Sequence, residues 1–237
     1  MEYAVSLTPP EALLAKPGFF GKYDRVYIGS SFCQNLMPEA EDVRRLRAGG
    51  ARALTLATPL LTGAALKKFI RTLDRVLDVE KEVEVSLNDM GLLEMLRRRF
   101  RGRVVPLLGR PVSHDFLRMS PEFLKRFFRE YGIKLLECDE RAMVGNLPPS
   151  TALKISFHYP LEYLAMSRLC PHTLEMSVVC CRGCAGRRAG LSRPGGEDLI
   201  IYGNAYFRDN KPCVNKPVKR LVFTPGGRRG REGGRLS

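Results

Sequence analysis

The sequence predicts an α/β chain folded as a (β/α) TIM-like barrel, complete or truncated, carrying a cysteine-bearing extension toward its C-terminal end. Three observations lead there. Short apolar runs alternate with amphipathic helical segments along most of the 237 residues. There are seven or eight such runs, the number a barrel needs. Strands separated by helices favour parallel pairing through right-handed crossovers. A doubly wound open sheet is the second choice, because about 250 residues is typical of a full barrel. No internal repeat is evident.

Strands are expected at 3–6, 25–28, 51–56, 82–87, 103–108, 133–138 and 153–157, with a possible eighth at 199–202. Between the third and fourth, Leu66, Phe69, Ile70, Leu73, Val76 and Leu77 fall on one face of a helix. Leu92, Leu93, Leu96 and Phe100 make a second stripe, with Asn88 and Asp89 where its cap belongs. Leu124, Phe127, Phe128 and Tyr131 make a third. That helix should start at Ser120 with Pro121 in its first turn and stop at Gly132.

Composition narrows the class. A hydrophobic fraction of 44% supports a real core. No apolar run is long enough to span a bilayer, and the first residues do not read as a secretory signal. The expected location is the cytoplasm. The net charge of +14 is uneven. Residues 218–237 hold Lys219, Arg220, Arg228, Arg229, Arg231 and Arg235 against Glu232 alone, and 182–193 add four arginines without an acid. The expected division is therefore one domain over 1–217 and a disordered, basic Gly/Arg-rich tail over 218–237, able to touch nucleic-acid phosphates non-specifically.

Seven cysteines without a secretory signal argue for metal rather than disulfides. Cys170, Cys180, Cys181 and Cys184 lie within fifteen residues. The usual structural zinc pattern has two close pairs, and only one is present here. Three local thiolates plus a remote one suit an iron–sulfur cluster, probable form [4Fe–4S], better than zinc. Either Cys180 or Cys181 is the third local ligand. Cys138, inside an apolar run, reads as a small buried hydrophobe.

In a barrel, reactive groups belong on the loops that follow the strands. Cys33 follows the second strand, Asn88 and Asp89 the fourth, and His114 the fifth. Glu137 and Asp139 close the sixth, while Cys170 to Cys184 lie beyond the seventh. Glu137 and Asp139, at i and i+2, share one side of an extended strand and can hold a polar substrate or move protons. His114 is the candidate acid/base beside them, against the plainer reading of a loop histidine bonded to Asp115. His158 reads as a satisfied core residue, and His172 as shaping the cysteine loop. Neither a Gly-x-Ser-x-Gly elbow nor a His-Glu-x-x-His helix is present.

The stretch Val26-Tyr-Ile-Gly-Ser-Ser-Phe-Cys33 resembles the opening of the collagenase-like peptidase family (the PrtC-like group), in particular its UbiV-type branch. Tyr159-Pro-Leu-Glu-Tyr-Leu-Ala-Met-Ser-Arg-Leu-Cys170 is similar to a later family segment, although Leu169 separates Arg168 from the cysteine. Cys180 and Cys184 have the closing C-x-x-x-C spacing, and the likeness covers roughly residues 1–185. It implies a cluster on Cys33, Cys170, Cys180 and Cys184. It further implies oxygen-independent hydroxylation in ubiquinone biosynthesis, as a heterodimer with a related UbiU-type subunit. A peptidase using Glu137, Asp139 and a metal is the alternative within the family, and an RNA-associated hydroxylation factor is the alternative outside it.

Overall fold

A computed structural model of the chain describes residues 1–145, 147, 153–173, 180, 182, 184, 186–192 and 196–225. Eight parallel strands close a barrel. In chain order they are β1 (Glu2–Leu7), β2 (Arg25–Gly29), β3 (Leu54–Ala57), β4 (Val83–Leu87), β5 (Val104–Leu108), β6 (Leu135–Cys138) and β7 (Lys154–Tyr159). Four strands of a separate antiparallel sheet follow: β8 (Leu161–Met166), β9 (Arg188–Leu191), β10 (Leu199–Tyr202) and β11 (Ala205–Asp209). The chain then re-enters the barrel as β12 (Val218–Phe223).

The barrel order is β1-β12-β7-β6-β5-β4-β3-β2, so β12 closes the ring between β7 and β1. Three expectations are corrected here. The eighth stave is Val218–Phe223, whereas Leu199–Tyr202 pairs antiparallel with β9 and β11. The first six residues of the stretch read as a basic tail are therefore barrel, and 226–237 lie outside the described residues. Lys219 and Arg220 misled because charge usually marks a solvated segment, yet Arg220 is buried inside the barrel. The cysteine segment sits between β8 and β9, ahead of the last stave, and is an insertion rather than an addition after the barrel.

Helices pack around the staves: α1 (Pro9–Leu13), α2 (Ala40–Ala48), α3 (Gly63–Leu77), α4 (Met90–Arg99), α5 (Arg110–Phe116), α6 (Pro121–Tyr131) and α7 (Arg141–Gly145). Their starts follow capping chemistry. Thr62 Oγ1 accepts from Ala65 N, Asp89 Oδ1 from Leu92 N and Ser120 Oγ from Phe123 N. Gly132, at φ +68°, ends α6 as expected. Asn88 does not cap. Its buried amide donates to Thr58 O at 2.8 Å and packs so closely on Gly109 that any Cβ there would overlap it.

Strand alternation divides two environments. Val26, Ile28, Leu54, Leu56, Val83, Val85, Leu136, Ile155 and Phe157 face outward into one core with the helices. The residues between them point into the barrel and are largely polar: Tyr27, Thr55, Glu84, Ser86, Glu137, Ser156, His158 and Arg220. Inside, Arg220 Nη1 bonds Tyr27 Oη at 2.6 Å and Glu84 Oε1 at 2.7 Å, and its Nε bonds Glu2 Oε2 at 2.7 Å. Tyr27 Oη reaches Ser156 Oγ at 3.2 Å. A hydrogen-bonded column thus runs up the barrel from its N-terminal end. Pro106 has no N–H to offer, and β5 meets β6 through a single register pair, Leu108 with Leu136. No helix among the described residues is long and apolar enough to cross a membrane.

Candidate functional site

The loops after the staves gather at the C-terminal mouth of the barrel. Cys33 is placed by the turn after β2, where Ser30 Oγ accepts from Phe32 N at 3.2 Å and from Cys33 N at 3.1 Å. Gly29 permits that turn. Its φ is +120°, and an added Cβ would overlap the Ala57 carbonyl on β3. Asn204, between β10 and β11, then ties two distant segments together. Its Nδ2 donates to Phe32 O at 2.9 Å and to Ser167 O at 2.7 Å. The residue before Cys33 and the end of β8, which leads to Cys170, are held by one amide.

The thiols of Cys33, Cys170, Cys180 and Cys184 share a neighbourhood. Burial raises the Cys33 thiol above its ordinary value, and Cys180 and Cys170 push the same way. Burial, with Cys33, Cys180 and Cys170 adding to it, pushes the Cys184 thiol up to about 11. At Cys170 burial is outweighed by bonds from His172 and Thr173, which lower the thiol. Cys180 Sγ accepts from Arg182 N at 3.3 Å. A cleft of about 340 Å³ opens beside Cys180, with Gln34, Lys68 and Arg182 among its walls. Cys181 lies outside the described residues, so the choice between it and Cys180 is not decided by position. Among the described residues no three His, Cys, Asp or Glu side chains stand close enough together to grip one metal ion. Cys138 is the buried core thiol the sequence implied, with burial pushing it up to about 12.

A second layer lies between these thiols and the barrel. Phe32 stacks on Tyr163 at 5.0 Å and meets Phe207 edge-on at 5.2 Å. The Arg110 guanidinium lies 4.9 Å from the centre of the Phe32 ring. Arg110 Nη1 bonds Asp139 Oδ2 at 3.3 Å, and Tyr163 N donates to the same oxygen at 2.9 Å. His114 Nε2 stands 3.3 Å from Asp139 Oδ1. This histidine is on α5 and its partner is Asp139, not the adjacent Asp115. The bond to Asp139 raises the imidazole above its ordinary value, against the opposing effect of burial.

One turn of strand deeper, Glu137 faces His158 across neighbouring staves, Nε2 to Oε1 at 3.5 Å. His158 is buried as expected, but neither ring nitrogen has a well-formed hydrogen bond among the described residues. Burial holds its imidazole below the ordinary value, with Arg110 acting in the same direction. Burial works to raise the Glu137 carboxyl, and the charges of His158 and Arg110 outweigh it, leaving it lowered.

His114, Glu137 and Asp139 therefore do converge, joined by Arg110, Tyr163, Phe32 and Asn204, which sequence reasoning did not single out. A polar residue following the apolar stave 104–108 was the available signal for Arg110. Nothing local marks Asn204. No protein-family model matches the chain, and no curated protein matches it.

Proposed function

We propose that the chain is an iron–sulfur protein of oxidoreductase type, holding a [4Fe–4S] cluster on Cys33, Cys170, Cys180 and Cys184. The observation that carries this reading is the Asn204 clamp, which holds the turn bearing Cys33 to the end of β8 that leads on to Cys170. The spacing of the four thiols in the sequence, three local and one remote, also bears on the metal. A zinc ion draws four sulfurs to about 2.3 Å, so they crowd one another. A cluster binds each thiolate to a different iron and needs them farther apart. When bound, the cluster supplies electron transfer. The chain itself contributes the four sulfurs, the Asn204 clamp and the aromatic wall of Phe32 and Tyr163.

The resemblance to the UbiV-type branch gives the reading its direction: oxygen-independent hydroxylation in ubiquinone biosynthesis, in a heterodimer with a UbiU-type subunit. His114 and Asp139 are then the proton-handling pair at the mouth, with Arg110 fixing Asp139. The peptidase alternative is weaker, because Asp139 is already committed to Arg110, His114 and Tyr163 N. Anaerobic purification with visible absorption and iron and sulfide assays tests the proposal. Replacing Cys33 or Cys184 by Ser should lower the iron content. A colourless protein that takes up no iron on reconstitution would overturn the reading.

A further inference from the structure

Four buried side chains on consecutive parts of the barrel each keep polar atoms with no hydrogen bond among the described residues. Ser86 is on β4, Arg110 follows β5, Glu137 is on β6 and His158 on β7, and each is exposed by 5% or less. Ser86 Oγ, Arg110 Nε, both carboxylate oxygens of Glu137 and both ring nitrogens of His158 have no hydrogen-bond partner among the described residues. His158 Nε2 and Glu137 Oε1 stand 3.5 Å apart, too long for a good bond. Glu137 and His158 sit on neighbouring staves and turn into the barrel, and His158 and Ser86 stand near enough to lower the Glu137 carboxyl as hydrogen-bonding neighbours while falling short of good bond geometry. A buried polar atom left unpaired costs about 1–3 kcal/mol, so native proteins rarely concentrate them without a bonding partner.

We propose that Ser86, Arg110, Glu137 and His158 form a receptor for an uncharged hydroxyl group, one layer beneath the Arg110–Asp139–His114 contacts. Charge selects the class. An anion would stand against Glu137 and Asp139, and a cation, metal ions included, would stand against Arg110. An uncharged group avoids both conflicts. It must also give and take, because Glu137 only accepts while Arg110 Nε–H only donates. A carbonyl cannot serve Glu137, and an ammonium cannot serve Arg110. A hydroxyl donates to Glu137 and accepts from Arg110 or a ring N–H of His158, with Ser86 Oγ free to complete either side. The same chemistry is offered by water and by the hydroxyl of a small organic molecule. The inference goes beyond the iron–sulfur reading and does not depend on it, so a protein without iron would leave it standing.

The test is a high-resolution crystal structure of the full chain, grown without alcohols or polyols, followed by soaks in methanol and in ethylene glycol. The expected result is an oxygen within about 3.2 Å of both Glu137 and Arg110 Nε or His158. Density that lengthens to the soaked alcohol identifies an organic hydroxyl as the occupant. Density that stays a single oxygen identifies water. Either outcome supports the receptor. Density showing Glu137 bonded directly to His158 and Ser86, with no oxygen between them, overturns it. A second measurement uses Ser86→Ala, a small change inside the barrel. If the alcohol enters, its affinity by ligand-observed NMR should fall about tenfold, the worth of one neutral hydrogen bond. An alcohol that enters the crystal site but binds Ser86→Ala unchanged in solution removes Ser86 from the receptor and overturns the four-residue assignment.

Discussion

His114 gains a proton-holding partner on folding, and the sign of its effect on stability follows from that. In the folded chain the Asp139 bond raises the imidazole above 6.5. The folded state therefore binds the proton more tightly than the unfolded state does. The stabilising contribution is fully present below pH 6.5 and disappears as pH rises through the folded value. Urea midpoints measured across that window should fall with pH more steeply for the native chain than for His114→Asn; parallel curves would sink the assignment. Gly29 makes a different residue-scale demand. Gly29→Ala places a Cβ against the Ala57 carbonyl at a φ of +120°. Left-handed strain alone costs about 1–3 kcal/mol, and the overlap adds to it. A loss above about 2 kcal/mol in denaturant titration is expected, and a near-neutral result would show that the turn after β2 relaxes easily.

The small sheet explains how segments far apart in sequence meet at the mouth. Its strands β8, β11, β10 and β9 bring Asn204 to Phe32 and Ser167. Asn204→Ala removes two bonds worth about 1 kcal/mol each, so a stability loss of about 1–2 kcal/mol is expected. The more telling readout is iron retention: the variant should lose iron faster under a chelator, because the Cys33 turn is no longer held to the end of β8. Equal retention would show that the clamp has no part in the thiol site. Elements of this kind are where the sequence was least legible. The helical stripes at Phe69–Leu77 and Leu124–Tyr131 could be read because an amphipathic pattern depends only on local spacing. Whether 199–202 joins a barrel or an antiparallel ribbon depends on its pairing partner, which local spacing does not encode. Cys33 and Asp139 were legible as strand-end residues. Ser86 was not, since a polar residue beside an apolar one on a strand ordinarily faces water, and Arg110 was marked only by its place after an apolar stave.

At the scale of the molecule, the polar barrel interior is what makes the last stave indispensable. Most of the apolar burial among the described residues lies outside the staves, among the helices, and the cluster of Ala4, Tyr27 and Val222 within is small. Closure thus depends on backbone pairing of β12 with β1 and β7, and on Arg220 inside. Arg220 neutralises Glu84 and Glu2 and bonds Tyr27. Arg220→Met keeps most of the volume but leaves the largely buried Glu84 carboxylate with the Thr55 hydroxyl and the longer contact to Arg25 at 3.6 Å. Removing one partner of a buried ion pair costs about 3–5 kcal/mol, well above a typical surface substitution. A chain ending at residue 217 loses the same arginine together with both strand pairings, whereas one ending at 225 keeps every contact just named. The chain ending at 225 should melt cooperatively, and the chain ending at 217 should not reach a folded state by circular dichroism. A cooperative melt from the shorter chain would mean that seven staves suffice and that the charges of residues 218–223 belong to a dispensable segment after all.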